Sequence, residues 1–438
     1  MLINSILAFS QKMFGKVYEK SFVLQNLDWL ILSAIIMLIF SFGFASSDSI
    51  SYFAIVTILL TIIKLLFKKG EQFEITFAEK FLLLYFVVVV ISLFGSTLYY
   101  LSLKGFMKTL IYLSFYISLV HFFKDNKDKV KYVLLAISLV TVYETVIAFL
   151  QNFASVSEIS GWQDTSRLNP EEIMTRVYGT IKPYNPNLFG GFLVACIPAL
   201  LGLCPFGKKY LPLYVIAGLG GILAIVFTGC RGAYIACFLQ ILTLILITYK
   251  FLGAVYKKLF LGFVSLFSSI AGVIILYTSS LRARIFSIFA MRSDSSNSFR
   301  FNVYNSCIDM FKDNWLLGIG VGNQNFREIY GLYMKTGFDA LSAYNIYLET
   351  AVESGIFALI AFLAFLISNI VSAIKFIFTN KSKETLYILA ALVSVIGVLA
   401  HGFVDTVFFR PQIQFTFWIM ISIIRTYTRK GEVCRNKE

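Results

Sequence analysis

The sequence predicts an all-α polytopic membrane protein with about 12 transmembrane helices. Three observations predict it. The chain is 58% hydrophobic and only 14% charged, where soluble domains carry about a quarter charged residues. Its mean hydropathy is +0.78. Apolar runs of about 20 residues, the length that crosses a bilayer, recur along the chain. Frequent Phe (45) and Tyr (24) with only 7 Pro suit long helices edged by aromatic belts.

Residues 1–28 are basic and amphipathic, as expected of a segment lying on the membrane surface. The basic leader is too long, and the first apolar run too span-like, for a cleaved signal peptide. Spans are expected near 29–46, 51–67, 80–98, 105–123, 131–151, 187–206, 210–228, 232–250, 258–279, 353–378, 385–404 and 411–427. Residues 29–438 then form a single transmembrane domain with external insertions at about 152–186 and 280–352, the larger one between spans 9 and 10. No internal repeat divides it.

Lysine and arginine set the expected orientation. Lys12, Lys16 and Lys20 precede the first span, and Arg425, Arg429 and Lys430 follow the last. The even connections are basic as well: Lys68 and Lys69, then Lys124, Lys127, Lys129 and Lys131, Lys208 and Lys209, Lys250, Lys257 and Lys258, and Lys381 and Lys383. By the positive-inside rule these connections and both termini are cytoplasmic, and both insertions face outward.

The second insertion reads as ordered. Ser296 or Asn297 can cap a helix, and Phe301, Tyr304, Ile308, Phe311 and Trp315 recur at helical spacing, as for a helix lying on the outer membrane face. Gly318, Gly320 and Gly322 of GIGVGN end it in a tight turn; without a preceding strand they are a weak nucleotide signal.

Several function classes drop out. The six cysteines form no CxxC pair, and His121 and His401 are the only histidines, so no multi-His metal site is available. No nucleotide-binding motif supports an ATP-driven pump. Neither cofactor, metal nor nucleic acid is expected.

The unusual polar residues cluster on the outward side. Arg176 and Lys182 flank YGTIKPYNPN, with Asn185 and Asn187 around Pro186. Arg231 opens the eighth span in TGCRGAY, Arg282 and Arg284 follow the ninth, and Arg300 starts the external helix. His401, Asp405 and Arg410 share HGFVDTVFFRPQ. In SAYNIYLETAVESGI, Asn345, Glu349 and Glu353 recur every fourth residue, one polar stripe on a helix. Each has a structural reading: arginines anchoring span ends, His401 and Asp405 pairing with each other or with Arg410, and the two glutamates pairing with Arg282, Arg284 or Arg300. Together they describe an arginine-rich outer cavity suited to a phosphate or diphosphate, whose acids orient the arginines or take a proton from an attacking hydroxyl.

These motifs resemble the O-antigen ligase and Wzy-type polymerase superfamily. TGCRGAY is similar to its T-x-S-R-G-A segment, and R-x-Y-G-T…N-P-N, DNWLLGIGVGNQNF and SAYNIYLETAVESGI match further segments, from about 140 to the C-terminus. The resemblance implies a GT-C-like, metal-independent glycosyltransferase of the outer membrane face. It would transfer a glycan from a polyprenyl-diphosphate-linked oligosaccharide to a glycan or other hydroxyl acceptor, with a chain-length regulator as a further partner beside the lipid bilayer. It implies that Arg231, Arg282, Arg284 and Arg300, with Arg176 and Arg410, hold the diphosphate, and that Asn187, Asn345 and Glu353 serve the glycan or acceptor. The ligases usually carry His before the motif Asn; this chain has Tyr344. A phenol is a poor base at neutral pH, so Glu349, Tyr344, His401 and Asp405 stand together as catalytic candidates, and polymerase or ligase stays open. HGFVDTVFFRPQ also looks like a sub-branch labelled inorganic carbon transporters, which makes a bicarbonate or small-anion transporter the alternative.

Overall fold

The computed structural model describes residues 2–154, 158–159 and 175–429. Most of the insertion expected at about 152–186 therefore lies outside the described residues, as do Lys430 and Cys434. The chain is an all-α polytopic membrane protein. An amphipathic α1 (Leu2–Lys20) and a single turn, α2 (Phe22–Gln25), lead into α3 (Leu27–Phe40), α4 (Ser47–Phe67), α5 (Phe77–Gly95), α6 (Tyr99–Asp125) and α7 (Val130–Phe153). A two-residue antiparallel pair, β1 (Glu158–Ile159) with β2 (Thr175–Arg176), brackets the chain before α8 (Pro186–Cys196), which runs on as a tighter helix to Phe206. Then come α9 (Leu211–Thr228), α10 (Arg231–Phe251) and α11 (Ala254–Tyr277). The second insertion folds as α12 (Ser279–Phe289), α13 (Ser295–Asp313) and α14 (Asn323–Tyr330). Last come α15 (Ile346–Thr379), α16 (Glu384–His401) and α17 (Pro411–Thr428).

Ten of these segments among the described residues are long and apolar enough to cross a membrane, and Leu27–Gly43 is a shorter apolar helix. The last expected span, α17, carries Gln412, Gln414 and Arg425, yet every residue from Pro411 to Tyr427 is buried. A helix enclosed by its neighbours meets no lipid, so it can hold polar side chains that a lipid-facing one cannot. At the other extreme α11 has no buried residue and packs on α12.

In α1 the exposed face is the apolar one, with Ile3, Ile6, Phe9, Met13 and Val17. Its polar face is tied down: the Gln11 amide donates to the carbonyls of Leu65 and Glu71, and Asn4 exchanges hydrogen bonds with the Phe73 backbone.

The end of the bundle opposite the two insertions is held by charge pairs. Arg425, fully buried, reaches Glu79 at 3.3 Å and donates to the Thr76 hydroxyl, and Glu79 also accepts from Tyr116. Arg429 and Lys124 share Glu74, and Lys64 lies 2.9 Å from Asp28.

Candidate functional site

Helix α13 begins two or three residues earlier than a cap at Ser296 or Asn297 would start it. Asp294 is its cap, accepting from the Asn297 amide at 2.9 Å. The same carboxylate oxygen lies 2.9 Å from Arg231 Nη1, so one acid both starts α13 and fixes the head of α10. The buried face of α13 is Val303, Cys307 and Met310 rather than the expected stripe. Phe301 and Tyr304 of that stripe turn to a cavity, and Ile308 and Trp315 are exposed.

That cavity has a volume of about 1370 Å³. Arg176, Arg231, Arg284, Arg300 and Arg410 line it, with Asn187, Tyr344, Glu349, Glu353 and Asp405. Arg176 donates to Thr228 O and to the Asn187 side chain, and Arg284 donates to Gly229 O at 2.7 Å. Arg231 adds the Ser287 carbonyl and hydroxyl at 3.2 Å to its pair with Asp294. Among the described residues these guanidiniums are aimed by carbonyls, the Asn187 side chain, the Ser287 hydroxyl and the acid Asp294, and Arg176 and Arg231 both repel Arg284. Burial, then repulsion from Arg176 and Arg231, brings Arg284 down to about 10. Burial also lowers Arg176. Arg284 therefore remains charged at neutral pH, held in a state that an anion relieves.

Asp405 joins the arginines to the last helices. It lies 3.7 Å from Arg300 Nη2 and accepts from Asn187 Nδ2 at 3.3 Å. Its arginine is thus Arg300, neither Arg410 nor a His401 pair. Arg300 also lies 5.6 Å from the centre of the Tyr344 ring. Burial, and next the charge of Asp405, raises the Tyr344 phenol above its usual value, making it a still poorer base.

Three expected residues are not brought to the cavity. Arg282 is exposed and donates to Leu276 O at 2.7 Å. Asn345 caps α15, its side-chain oxygen accepting from Tyr347 and Leu348 while its amide donates to Phe403 O. His401 is buried behind the arginines with Nε2 3.6 Å from the Cys230 sulfur. The polar stripe is therefore two acids after a cap. Each acid holds a backbone amide: Glu349 accepts from Ala343 N at 3.0 Å and Glu353 from Gly322 N at 2.8 Å. Pairing of these glutamates with Arg282, Arg284 or Arg300 is not what the structure has.

The position of Glu353 depends on a break in α15. Gly355 has φ 78°, and its carbon meets the Leu316–Leu317 backbone so closely that a Cβ would lie 2.2 Å from Leu316 O. The glycine turn 318–322 docks against this break. Ile319 N donates to Val352 O at 3.0 Å, Gly320 N to Glu353 O at 2.9 Å, and Ile356 N to Trp315 O at 2.9 Å. Backbone groups freed by the break are thereby satisfied, as they must be at membrane depth.

Sequence reasoning missed Lys104 and Lys108, which also line the cavity from α6. The signal was present: two lysines four apart where an apolar span begins.

Residues 216–363 match the family model described as O-antigen ligase. Over this stretch the chain is similar to the O-antigen ligases. The match agrees with the resemblance carried by TGCRGAY and SAYNIYLETAVESGI, and it supports a glycan-transfer function of the O-antigen ligase and polymerase type. The matched residues include Arg231, Arg284, Arg300, Tyr344, Glu349 and Glu353; Arg176, Asn187, Asp405 and Arg410 reach the same cavity from outside them. No curated protein matches the chain.

Proposed function

We propose that this protein transfers a glycan from a polyprenyl-diphosphate-linked donor to a hydroxyl acceptor at the outer face of the plasma membrane, with both termini cytoplasmic. The observation that carries the reading is the group of mutually repelling arginines in the cavity, the buried Arg176 and Arg231 and the half-buried Arg284, with Arg300 beside them. Forked guanidiniums match phosphate oxygens and keep their charge on burial, and stabilising a leaving diphosphate is the main electrostatic demand of the reaction.

In the proposed step the acceptor hydroxyl oxygen attacks the anomeric carbon of the donor. The bond from that carbon to the diphosphate oxygen breaks, its electron pair leaves with the diphosphate, and the hydroxyl proton passes to Glu349. Glu349 lines the cavity with one carboxylate oxygen engaged by Ala343 N, leaving the other to face the acceptor. Tyr344 and Asp405 serve as walls: the phenol is a poor base, and Asp405 is engaged by Arg300 and Asn187.

The test is turnover by the purified protein in nanodiscs, with a polyprenyl-diphosphate oligosaccharide as donor. Longer or transferred glycan and released polyprenyl diphosphate are expected. Arg231→Gln and Arg284→Gln, at wild-type expression and melting temperature, should each lower turnover by about a hundredfold. Undiminished turnover in both variants, or bicarbonate uptake by proteoliposomes without any glycan transfer, overturns the proposal.

A further inference from the structure

Helix α7 carries two polar side chains that do not line the cavity, Glu144 and Gln151. They lie seven residues apart, about two turns, and so share one face of the helix. Glu144 is fully buried in a segment apolar enough to cross a membrane, and among the described residues it enters no ion pair. An acid in such a place is costly and marks a function.

Both side chains grip one turn of the segment that leads to α8. Gln151 Oε1 accepts from the amides of Tyr178 at 3.1 Å and Gly179 at 2.9 Å, and its Nε2 donates to Gly179 O at 2.9 Å. Glu144 Oε2 accepts from Thr180 N at 3.0 Å, and its Oε1 accepts from the Thr180 hydroxyl. Three successive backbone amides, which need partners away from water, are thus taken by one helix. Gly179 lets the turn come this close: its φ is 63°, and a Cβ there would lie 2.5 Å from Glu144 Oε2. Gly43, just past α3, closes the other side, where a Cβ would lie 2.9 Å from Glu144 Oε1.

The gripped turn lies between the two ends of a hydrogen bond in the cavity. Arg176 precedes it, Asn187 follows it, and the Arg176 guanidinium donates to the Asn187 side chain. Upstream, the Val177 amide donates to Phe227 O at 3.1 Å and Arg176 Nε to Thr228 O at 2.6 Å, both at the end of α9. Downstream, Asn185 caps α8 and Asn187 Nδ2 donates to Asp405. With Val177 pinned to α9 and Thr180 to α7, the path from Arg176 to the head of α8 is fixed at its start. Loosening the α7 grip shifts Arg176 against Asn187. Arg231 is held separately, by Ser287 and Asp294.

We infer that Glu144 and Gln151 are positioning residues, which set Arg176 for the donor diphosphate by clamping the Tyr178–Thr180 turn to α7. The inference rests on the proposed glycan transfer and adds to it two residues outside the cavity that act on the donor only through Arg176.

The experiment measures binding of radiolabelled polyprenyl diphosphate to the full chain in nanodiscs, with the melting temperature of each variant alongside. Glu144→Ala should weaken binding about tenfold. Glu144→Gln keeps an oxygen for the Thr180 amide and a nitrogen for its hydroxyl, and should stay within about threefold of wild type. The deciding readout is coupling. On an Arg176→Gln background Glu144→Ala should cost less than about twofold, while on an Arg231→Gln background it should keep its full effect. A general loosening of the fold would cost the same on both. Gln151→Ala goes through the same cycle and carries the test where Glu144→Ala does not fold. Equal losses on the two backgrounds, or wild-type binding by both alanine variants, overturn the clamp and leave the proposed function standing. Donor binding that ignores Arg176→Gln and Arg231→Gln alike removes the proposed function, and the clamp with it.

Discussion

Arg284 shows how a residue type is chosen by its surroundings. It is half-buried beside Arg176 and Arg231, and lost solvation with their repulsion brings it down to about 10; a guanidinium survives that shift with its charge intact at neutral pH. A lysine starts about two units lower and would suffer the same burial and repulsion. The charged form is the one that binds phosphate, so binding is lost as pH rises through the folded-state value. Donor binding by the wild type should therefore stay level to about pH 9 and fall near 10. In Arg284→Lys the fall should begin well below that. Equilibrium binding of polyprenyl diphosphate across this range is the check, and superimposable profiles for the two proteins would refute the account. TGCRGAY and the arginines after the ninth span were legible in the sequence as a charge group. That Arg282 would turn away while Arg284 turned inward was not, because two residues apart on a helix point to different sides.

At the scale of the element, α15 behaves as two helices. The run SGIFALI reads as uninterrupted span, and glycine within an apolar helix is an ordinary occurrence, so the break was invisible. It exists because a loop distant in sequence supplies the partners for the freed backbone groups. Gly355→Ala places a side chain at φ 78° against Leu316 O and should destabilise the fold by about 2 kcal/mol or more, read as a lowered melting temperature. An unchanged melting temperature would mean that α15 runs continuously. The expected stripe on α13 missed for a related reason. Its periodicity was real, but the helix has two apolar sides, one packed on the neighbouring elements through Val303, Cys307 and Met310 and one turned toward the cavity.

The whole molecule is organised about α17, buried along its length, with the cavity at its first residues and Arg425 near its last. Arg425 and Glu79 are 346 residues apart in sequence and meet in the fully buried end of the bundle. Removing one partner of such a pair leaves an uncompensated charge, at about 3–5 kcal/mol, whereas removing both restores much of the loss. Arg425→Met should therefore lower thermal stability sharply and Glu79→Met/Arg425→Met should recover most of it. Equal destabilisation in the single and double variants would show that the pair does not hold this end together.

Composition and apolar run length alone determined the all-α membrane class, and local motifs determined that arginines and acids would gather on one side. These are short-range properties: a span needs only its own length and hydropathy, and a motif only its neighbours. Which polar residues share the cavity was decided by tertiary structure. Lys104 and Lys108 acquire their places in the cavity, and Asp294 its hold on Arg231, from helices far apart in the chain, while His401 and Asn345 lose theirs to a buried thiol contact and a helix cap. A side chain's partner is set by packing across the bundle, and no spacing within one segment encodes it.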